Sequence, residues 1–220
     1  FDEGHAKAGT GEPIPVSVKT RIGYGKNELA TWLPALLETH PAAITIHART
    51  RKEMTVVAAR WEHVGEAVAI RDQVQAGLAP IDRTLIMGNG DIMSVPDGLE
   101  KAAAQGADGA MLGRALFGNP WLWSGLKNFN VDEASGAFES CSGHVPTQLE
   151  KLHMAIRHTE LFERHLGTIK NFAIMKKHFK AYINGFDGAK ELRMELMEKA
   201  ENAADVRRII EAFIAAQLVA

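Results

Sequence analysis

Four short runs of small, β-branched and apolar residues recur between residues 15 and 126, each followed by turn residues and then a longer amphipathic stretch. The runs are Val16 to Thr20, Ala43 to His47, Thr84 to Met87 and Gly109 to Leu112. Between them, Leu29, Leu33, Leu36 and Leu37 share one helical face, and Val64, Val68 and Val74 mark a second helix over about 61–75. A third helix is predicted near 96–105. Strands that read as buried runs and alternate with helices require a parallel sheet with the helices packed outside it. A closed β/α barrel needs eight such units and about 250 residues. Four units are half a barrel, and half a barrel leaves two raw sheet edges. Either the other half precedes residue 1 or the sheet is a small open one. The opening segment Phe1 to Pro13 is polar, contains glycine and carries no sustained apolar period. It reads as a loop feeding a strand, the mark of a truncated chain.

The character changes after residue 126. Residues 127–146 are rich in Asn, Ser, Gly and acidic side chains, which predicts a linker or long surface loop. Thr147 followed by Glu150 then forms a capping-box pattern ahead of Leu149, Leu152, Ile156 and Phe162. Phe172, Met175, Phe179 and Tyr182 repeat the helical interval, Gly185 and Gly188 break it, and two further helices come after through Leu192, Leu196, Val206, Ile209, Ile210 and Phe213. The expected organisation is therefore α/β: 1–126 as the second half of a TIM barrel, 127–146 as a linker, and 147–220 as a small helical bundle.

Composition narrows the class. The 220 residues are 46% hydrophobic and 24% charged, with a formal net charge of −2, as expected of a globular polypeptide. No apolar run reaches the roughly 20 residues of a membrane span, and no signal-peptide pattern is present. A single cysteine, Cys141, excludes an internal disulfide framework and fits a cytoplasmic location. It sits among Ser and Gly in the linker and reads as a surface thiol.

In β/α barrels the functional groups gather where strands end, and phosphates commonly bind after strands seven and eight. Counted as the last four of eight, the third and fourth strands end in Gly88-Asn89-Gly90-Asp91 and Gly113-Arg114. Glycines there let backbone N–H groups approach a phosphate, and Arg114 supplies a guanidinium fork. Lys19 closes an otherwise apolar strand, so its ammonium needs a partner at the barrel mouth, and His47 ends the second strand as a candidate hydrogen-bond donor. Between Lys151 and Arg193 the basic residues exceed the acidic by five, nine against four. Lys170, Lys176, Lys177 and Lys180 crowd one helix, a pattern suited to neutralising nucleic-acid phosphates or simply to a solvated face.

These motifs resemble a known family. Val16 to Gly23, Ile46 to Arg51, Gly88 to Ile92 and Gly106 to Ala115 followed by Gly118-Asn119-Pro120-Trp121 are similar, in order and spacing, to the last four strand motifs of tRNA-dihydrouridine synthases. The resemblance covers residues 14–126 closely and the helical tail, with Lys177-His178 and Tyr182, more loosely. It implies reduction of a uridine base in tRNA, with FMN as cofactor and NADPH as reductant. Lys19 and His47 would reach the flavin ring, and Asn89, Gly90, Asp91, Gly113 and Arg114 would surround its phosphate. Arg49, Arg51, Lys170, Lys176, Lys177 and Lys180 are the candidate RNA contacts, and no metal is expected. The family's proton-donating cysteine lies in an Asn-x-Gly-Cys-Pro-type loop that has no counterpart here, so it is expected upstream of residue 1 and this chain alone is expected to be inactive. Ala48 stands where glycine is frequent, and 54–60 lacks the usual Tyr-x-Gly spacing before Trp61, which leaves the substrate open. Two other readings remain: an FMN-dependent barrel oxidoreductase acting on a small molecule, and a non-catalytic RNA-binding fragment.

Overall fold

In the computed structural model, residues 14–128 and 144–219 are described, and Cys141 lies outside them. They form two compact units that divide between Arg114 and Ala115.

The first unit holds strands β1 (Ser17–Arg21), β2 (Ala43–His47), β3 (Leu85–Asn89) and β4 (Gly109–Met111). They form one parallel sheet in the order β1-β2-β3-β4. Helices α1 (Leu29–Leu37), α2 (Glu62–Val74) and α3 (Val95–Ala104) are the intervening connections. The α/β class, the four strands and their helices agree with the sequence pattern, with boundaries displaced by one or two residues. The chain beyond β4 departs from it. A pair of 3₁₀ segments, Arg114–Leu116 and Pro120–Asn128, takes the place of a fourth α-helix. Gly118, at a φ of 72°, and Pro120 interrupt the run, and a Cβ at 118 would press on the Ala181 carbonyl oxygen at 2.2 Å. That close approach is made within the second unit.

The two faces of the sheet differ. Alternation along each strand sends Ile44 and Ile46 of β2 and Ile86 of β3 to one face, where they are fully buried against Leu29, Leu33 and Leu37 of α1 and Val64 and Ala67 of α2. Trp61 closes this core and donates its indole N–H to the Gly90 carbonyl at 2.9 Å. The other face carries Ser17, Lys19 and Arg21 on β1, Ala43, Thr45 and His47 on β2, and Leu85, Met87 and Asn89 on β3. Among the described residues no helix of this unit covers it. Lys19 and Leu85 are exposed there, while Thr45 is buried.

The second unit contains α4 (Gln148–Leu166), α5 (Ala173–Tyr182), α6 (Ala189–Lys199) and α7 (Ala203–Val219). The capping box forms as the sequence predicts: the Thr147 hydroxyl accepts from the Glu150 N–H at 3.2 Å, and the Glu150 carboxylate accepts from the Thr147 N–H at 2.8 Å. Leu152 and Ile156, Phe179 and Tyr182, Leu192 and Leu196, and Val206 and Ile210 bring one stripe from each helix into a common core. Gly188, at a φ of 78°, turns the chain into α6. No helix among the described residues is long and apolar enough to cross a membrane.

The tightest point of the sheet is Gly88, where an added Cβ would lie 2.1 Å from the Trp61 ring. Gly88→Ala is expected to destabilise the first unit by about 1–3 kcal/mol through overpacking. Urea unfolding monitored by circular dichroism measures it, and an unchanged midpoint would refute the packing described.

Candidate functional site

Parallel pairing in register aligns residues into rows across the open face. Lys19, Thr45, Met87 and Gly109 form one row, and Arg21, His47, Asn89 and Met111 form the next, at the C-terminal ends of the strands. At about 4.8 Å between strands, the second row extends over about 14 Å. Side chains for a site thus converge from four separate segments because the pleat and the register demand it.

Beyond β3 and β4 lies a cleft of about 220 Å³ lined by His47, Arg49, Asn89, Gly90, Asp91 and Arg114, with Gly113 and Met111 at its side. The chain enters it through Gly90 at a φ of 123° and Asp91 at a φ of 50°. Glycine is required at 90 because a Cβ there would lie 2.8 Å from the Ala59 methyl and 3.1 Å from the His47 ring. The Asp91 carboxylate is the hub. One oxygen accepts from the Arg49 guanidinium and from the Ala59 N–H at 2.8 Å, and the other accepts from Arg114 at 2.5 Å. The hydrogen bond from Arg49 and that from the Ala59 backbone hold its pKa down at about 2, against the cost of burial. Lys101 fixes the backbone by donating to the Asp91 carbonyl at 2.7 Å. Asn89 reaches across to donate to the Met111 carbonyl at 2.6 Å, tying β3 to β4.

These contacts change the role expected of two residues. The motif reading puts Asp91 among the phosphate contacts, but its carboxylate is ionised and would repel a phosphate oxygen. Its side chain instead aims Arg49 and Arg114. The same reading puts Arg49 among the RNA contacts, yet Arg49 is 2% exposed. Its guanidinium is committed to Asp91, to the Val57 carbonyl at 2.6 Å and to His47 Nε2 at 3.2 Å, so it is not available to RNA. Arg114, 63% exposed, remains open to a ligand.

On the β1 side, Lys19, Arg21, Tyr24, Trp32 and Arg51 line a second, wider cleft of about 620 Å³. Arg21 donates to the Thr50 carbonyl at 2.8 Å and the Met54 carbonyl at 3.2 Å, and so carries the loop beyond β2. Ala48, where glycine is frequent in the family that the motifs resemble, has its methyl fully buried in the core. Burial and Arg21 lower the Lys19 pKa. Burial lowers His47 to about 4, helped by the positive charges of Arg21, Lys19 and Arg49 and opposed by Asp91. The imidazole is therefore neutral near pH 7, among cations. Arg21 is a site residue that the motif reading misses. A signal for it exists, because it lies two residues beyond Lys19 and so shares its face.

In the helical unit, Lys176, Lys177 and Lys180 line a groove of about 450 Å³ with Phe179, and α6 adds Lys190, Arg193, Met194 and Met197. The lysine-rich helix pattern points to three of these five cations. Lys190 and Arg193 lie ten or more residues away and join only through the packing of α6 on α5. Lys170 precedes α5 and does not line the groove.

Comparison with known proteins places these features. The dihydrouridine synthase family profile matches residues 6–217. A probable tRNA-dihydrouridine synthase of Staphylococcus aureus (strain N315) is 37% identical over 202 residues, covering 91% of this chain and 55% of that protein. Its counterpart in Staphylococcus epidermidis (strain ATCC 12228) is 36% identical over the same shares. Probable tRNA-dihydrouridine synthase 2 of Bacillus subtilis (strain 168) is 35% identical over 210 residues, covering 94% of this chain and 57% of that protein. The chain thus spans little more than half the length of these relatives.

The His47 environment sets a pH dependence. Its folded-state pKa of about 4 lies below the 6.5 of an unperturbed imidazole, so on acidification the unfolded chain takes up the proton first. The stability it contributes is fully present above about pH 6.5 and is lost as pH falls toward about 4. His47→Gln, which keeps an acceptor for Arg49, is expected to lose less stability across that window than the wild type. Urea midpoints taken across the window check it, and parallel curves would contradict the assignment.

Proposed function

This chain belongs to the dihydrouridine synthase family, and from that premise we propose that it is the C-terminal part of an FMN-dependent enzyme that reduces uridine in tRNA with NADPH. The reading is carried by the row Arg21, His47, Asn89 and Met111 at the strand ends, with an arginine-lined cleft beside β3 and β4. A sheet with one face uncovered by any helix of its own unit among the described residues, and with β1 and β4 as its edges, suits half of a β/α barrel, whose inward face is closed by the other four strands. In this reading residues 1–126 complete the barrel, 127–146 link it to the tail, and 147–220 bind tRNA.

The residues present fit a phosphate-bearing planar cofactor. The cleft of about 220 Å³ is smaller than the roughly 300–1,000 Å³ of a complete small-molecule pocket, and so suits one end of an elongated ligand. Gly90 and Gly113 leave room for close approach, and among the described residues no heavy atom beyond its chain neighbours lies within 4 Å of a Cβ placed at 113. Arg114 would hold the phosphate, oriented by Asp91, with Asn89, Gly90 and Gly113 around it. Lys19 and His47, farther toward β1, would meet the ring. Bound FMN supplies the hydride chemistry that no side chain here can perform. This chain's own residues bind and orient: Lys19 presents positive charge to a ring heteroatom, His47 stays neutral and offers a hydrogen bond, and Arg21 holds the loop beside the mouth.

The groove of the helical unit favours a polyanion, because five cations line it with Phe179, Met194 and Met197. Lys176 already donates to the Met197 carbonyl at 2.6 Å, which leaves Lys177, Lys180 and Lys190 as the exposed contacts for RNA phosphates, with Arg51 on the barrel unit.

The direct experiment is incubation of the complete protein with FMN, NADPH and unmodified tRNA, with dihydrouridine read by mass spectrometry. Formation of dihydrouridine is expected, and flavin oxidation by a small molecule with no product in tRNA would replace this reading. Arg114→Ala is expected to weaken FMN binding about 10- to 100-fold, on the scale of one charge-assisted hydrogen bond. Fluorescence titration of the apoprotein measures it. Lys177→Ala is expected to weaken tRNA binding uniformly across sequences and to make the slope of log affinity against log salt shallower by roughly 0.7–0.9. A slope identical to the wild type would remove Lys177 from the interface.

A further inference from the structure

His47 lines the first cleft and pairs in register with Arg21, which lines the second, and what it offers a ligand depends on which ring nitrogen carries its proton. We propose that Arg49 is a positioning residue that holds the His47 imidazole as its Nδ1–H tautomer and thereby leaves its hydrogen-bond donor on the ring edge turned away from Arg49 and Gly90. The role differs from RNA contact and deepens the cofactor-site reading, on which it rests for its purpose but not for its test.

The geometry carries it in three steps. Arg49 Nη1 lies 3.2 Å from His47 Nε2. A guanidinium has only donors and is always charged, so the nitrogen facing it must accept. In a neutral imidazole, an accepting Nε2 leaves the proton on Nδ1. Second, Arg49 has no freedom to turn away. It is 2% exposed, with Nε bound to the Val57 carbonyl at 2.6 Å and Nη2 paired with Asp91, so three acceptors on three segments fix the plane of the fork. Third, the ring is oriented by the backbone beside it. A Cβ built at Gly90 would lie 3.1 Å from His47 Cδ2 and 3.4 Å from Nε2, so that edge of the imidazole faces the chain. Nδ1 lies on the opposite edge, and no described residue accepts a hydrogen bond from it.

Charge supports the same state. The groups facing His47 are Lys19 and Arg21 of β1, Arg49 after β2 and Asp91 after β3. Three cations against one carboxylate disfavour a second proton on the ring. A protonated Nε2 would also oppose donor to donor with Arg49. Free histidine in water prefers the Nε2–H tautomer, so the Nδ1–H form is a state that the protein imposes.

The test is two-dimensional ¹H–¹⁵N correlation of the imidazole nitrogens in the ligand-free chain labelled with ¹⁵N-histidine, with His47 assigned by its loss in His47→Gln. A pyridine-type Nε2 and a pyrrole-type Nδ1 at pH 7 are expected for the wild type. In Arg49→Met the population should move toward Nε2–H, and the His47 titration midpoint should rise because one of the three cations is gone. A pyrrole-type Nε2 in the wild type overturns the proposal, whether or not Arg49→Met folds. So does a folded Arg49→Met with an unchanged tautomer. Because no ligand is present, the result is independent of FMN binding, which the apoprotein titration examines separately.

Discussion

Everything functional in the first unit depends on parallel register. Side chains alternate with a period of two, so a slip of β1 by one residue against β2 would turn Lys19 and Arg21 into the helix-covered core and bring Val18 and Thr20 to the open face. Ile22, which continues the Val18 and Thr20 side of β1, forbids that slip, because it is fully buried in the core with the leucines of α1 and with Ile44, Ile46 and Ile86 and a slip would turn it out of that core. At roughly 25 cal/mol per Å² of apolar surface, the penalty for misplacing several such side chains far exceeds any gain from one ion pair. The hydrophobic core therefore decides where the charged row lies, and the charged residues only use the positions it leaves.

A second constraint acts at the strand ends. A buried guanidinium without a counter-charge costs several kcal/mol, and Arg49 is buried. Asp91 supplies that charge, but only by adopting a left-handed backbone conformation next to Gly90, which is itself at positive φ. Aspartate tolerates this conformation better than most residues do. The modest local strain is offset by the Arg49 pair, the Ala59 N–H and the Lys101 contact to the same residue. Partial exposure of Asp91 lowers the value of the pair but leaves its second oxygen free to orient Arg114.

Periodic and local features are readable in the amino-acid sequence. Four buried-type runs, three amphipathic helices and a Thr-Glu capping box are signals written within a few residues, and each element forms close to its predicted place. What escapes is non-local. A buried arginine and an exposed one look alike in sequence, so a pattern that suggests RNA contact at Arg49 cannot show that packing commits it to Asp91. Lys190 and Arg193 join Lys176, Lys177 and Lys180 only through helix packing. The segment after β4 reads as part of the first region, whereas the contacts of Gly118 tie it to the helices of the second unit. Arg21 is legible from its spacing to Lys19, but an arginine ending a strand is less conspicuous than a lysine within an apolar run.

Lys19, Arg21, Arg49, Arg51 and Arg114 are gathered around two adjoining clefts, and the pKa of Lys19 and that of Arg21 are both lowered, first by burial and then by neighbouring cations. Folding thus assembles positive charge that the unfolded chain keeps apart, and this repulsion subtracts from stability. An anion bound among these groups removes part of that cost while adding its own contacts. Binding and folding are linked through mass action, so such a ligand stabilises the native sheet in proportion to the logarithm of its concentration over its dissociation constant. In the proposed reading, the same charges that weaken the unliganded fold would supply its affinity for a phosphate. In the proposed site a ligand anion would complete this arrangement, and the neutral imidazole of His47 can offer it a hydrogen bond without adding to the repulsion.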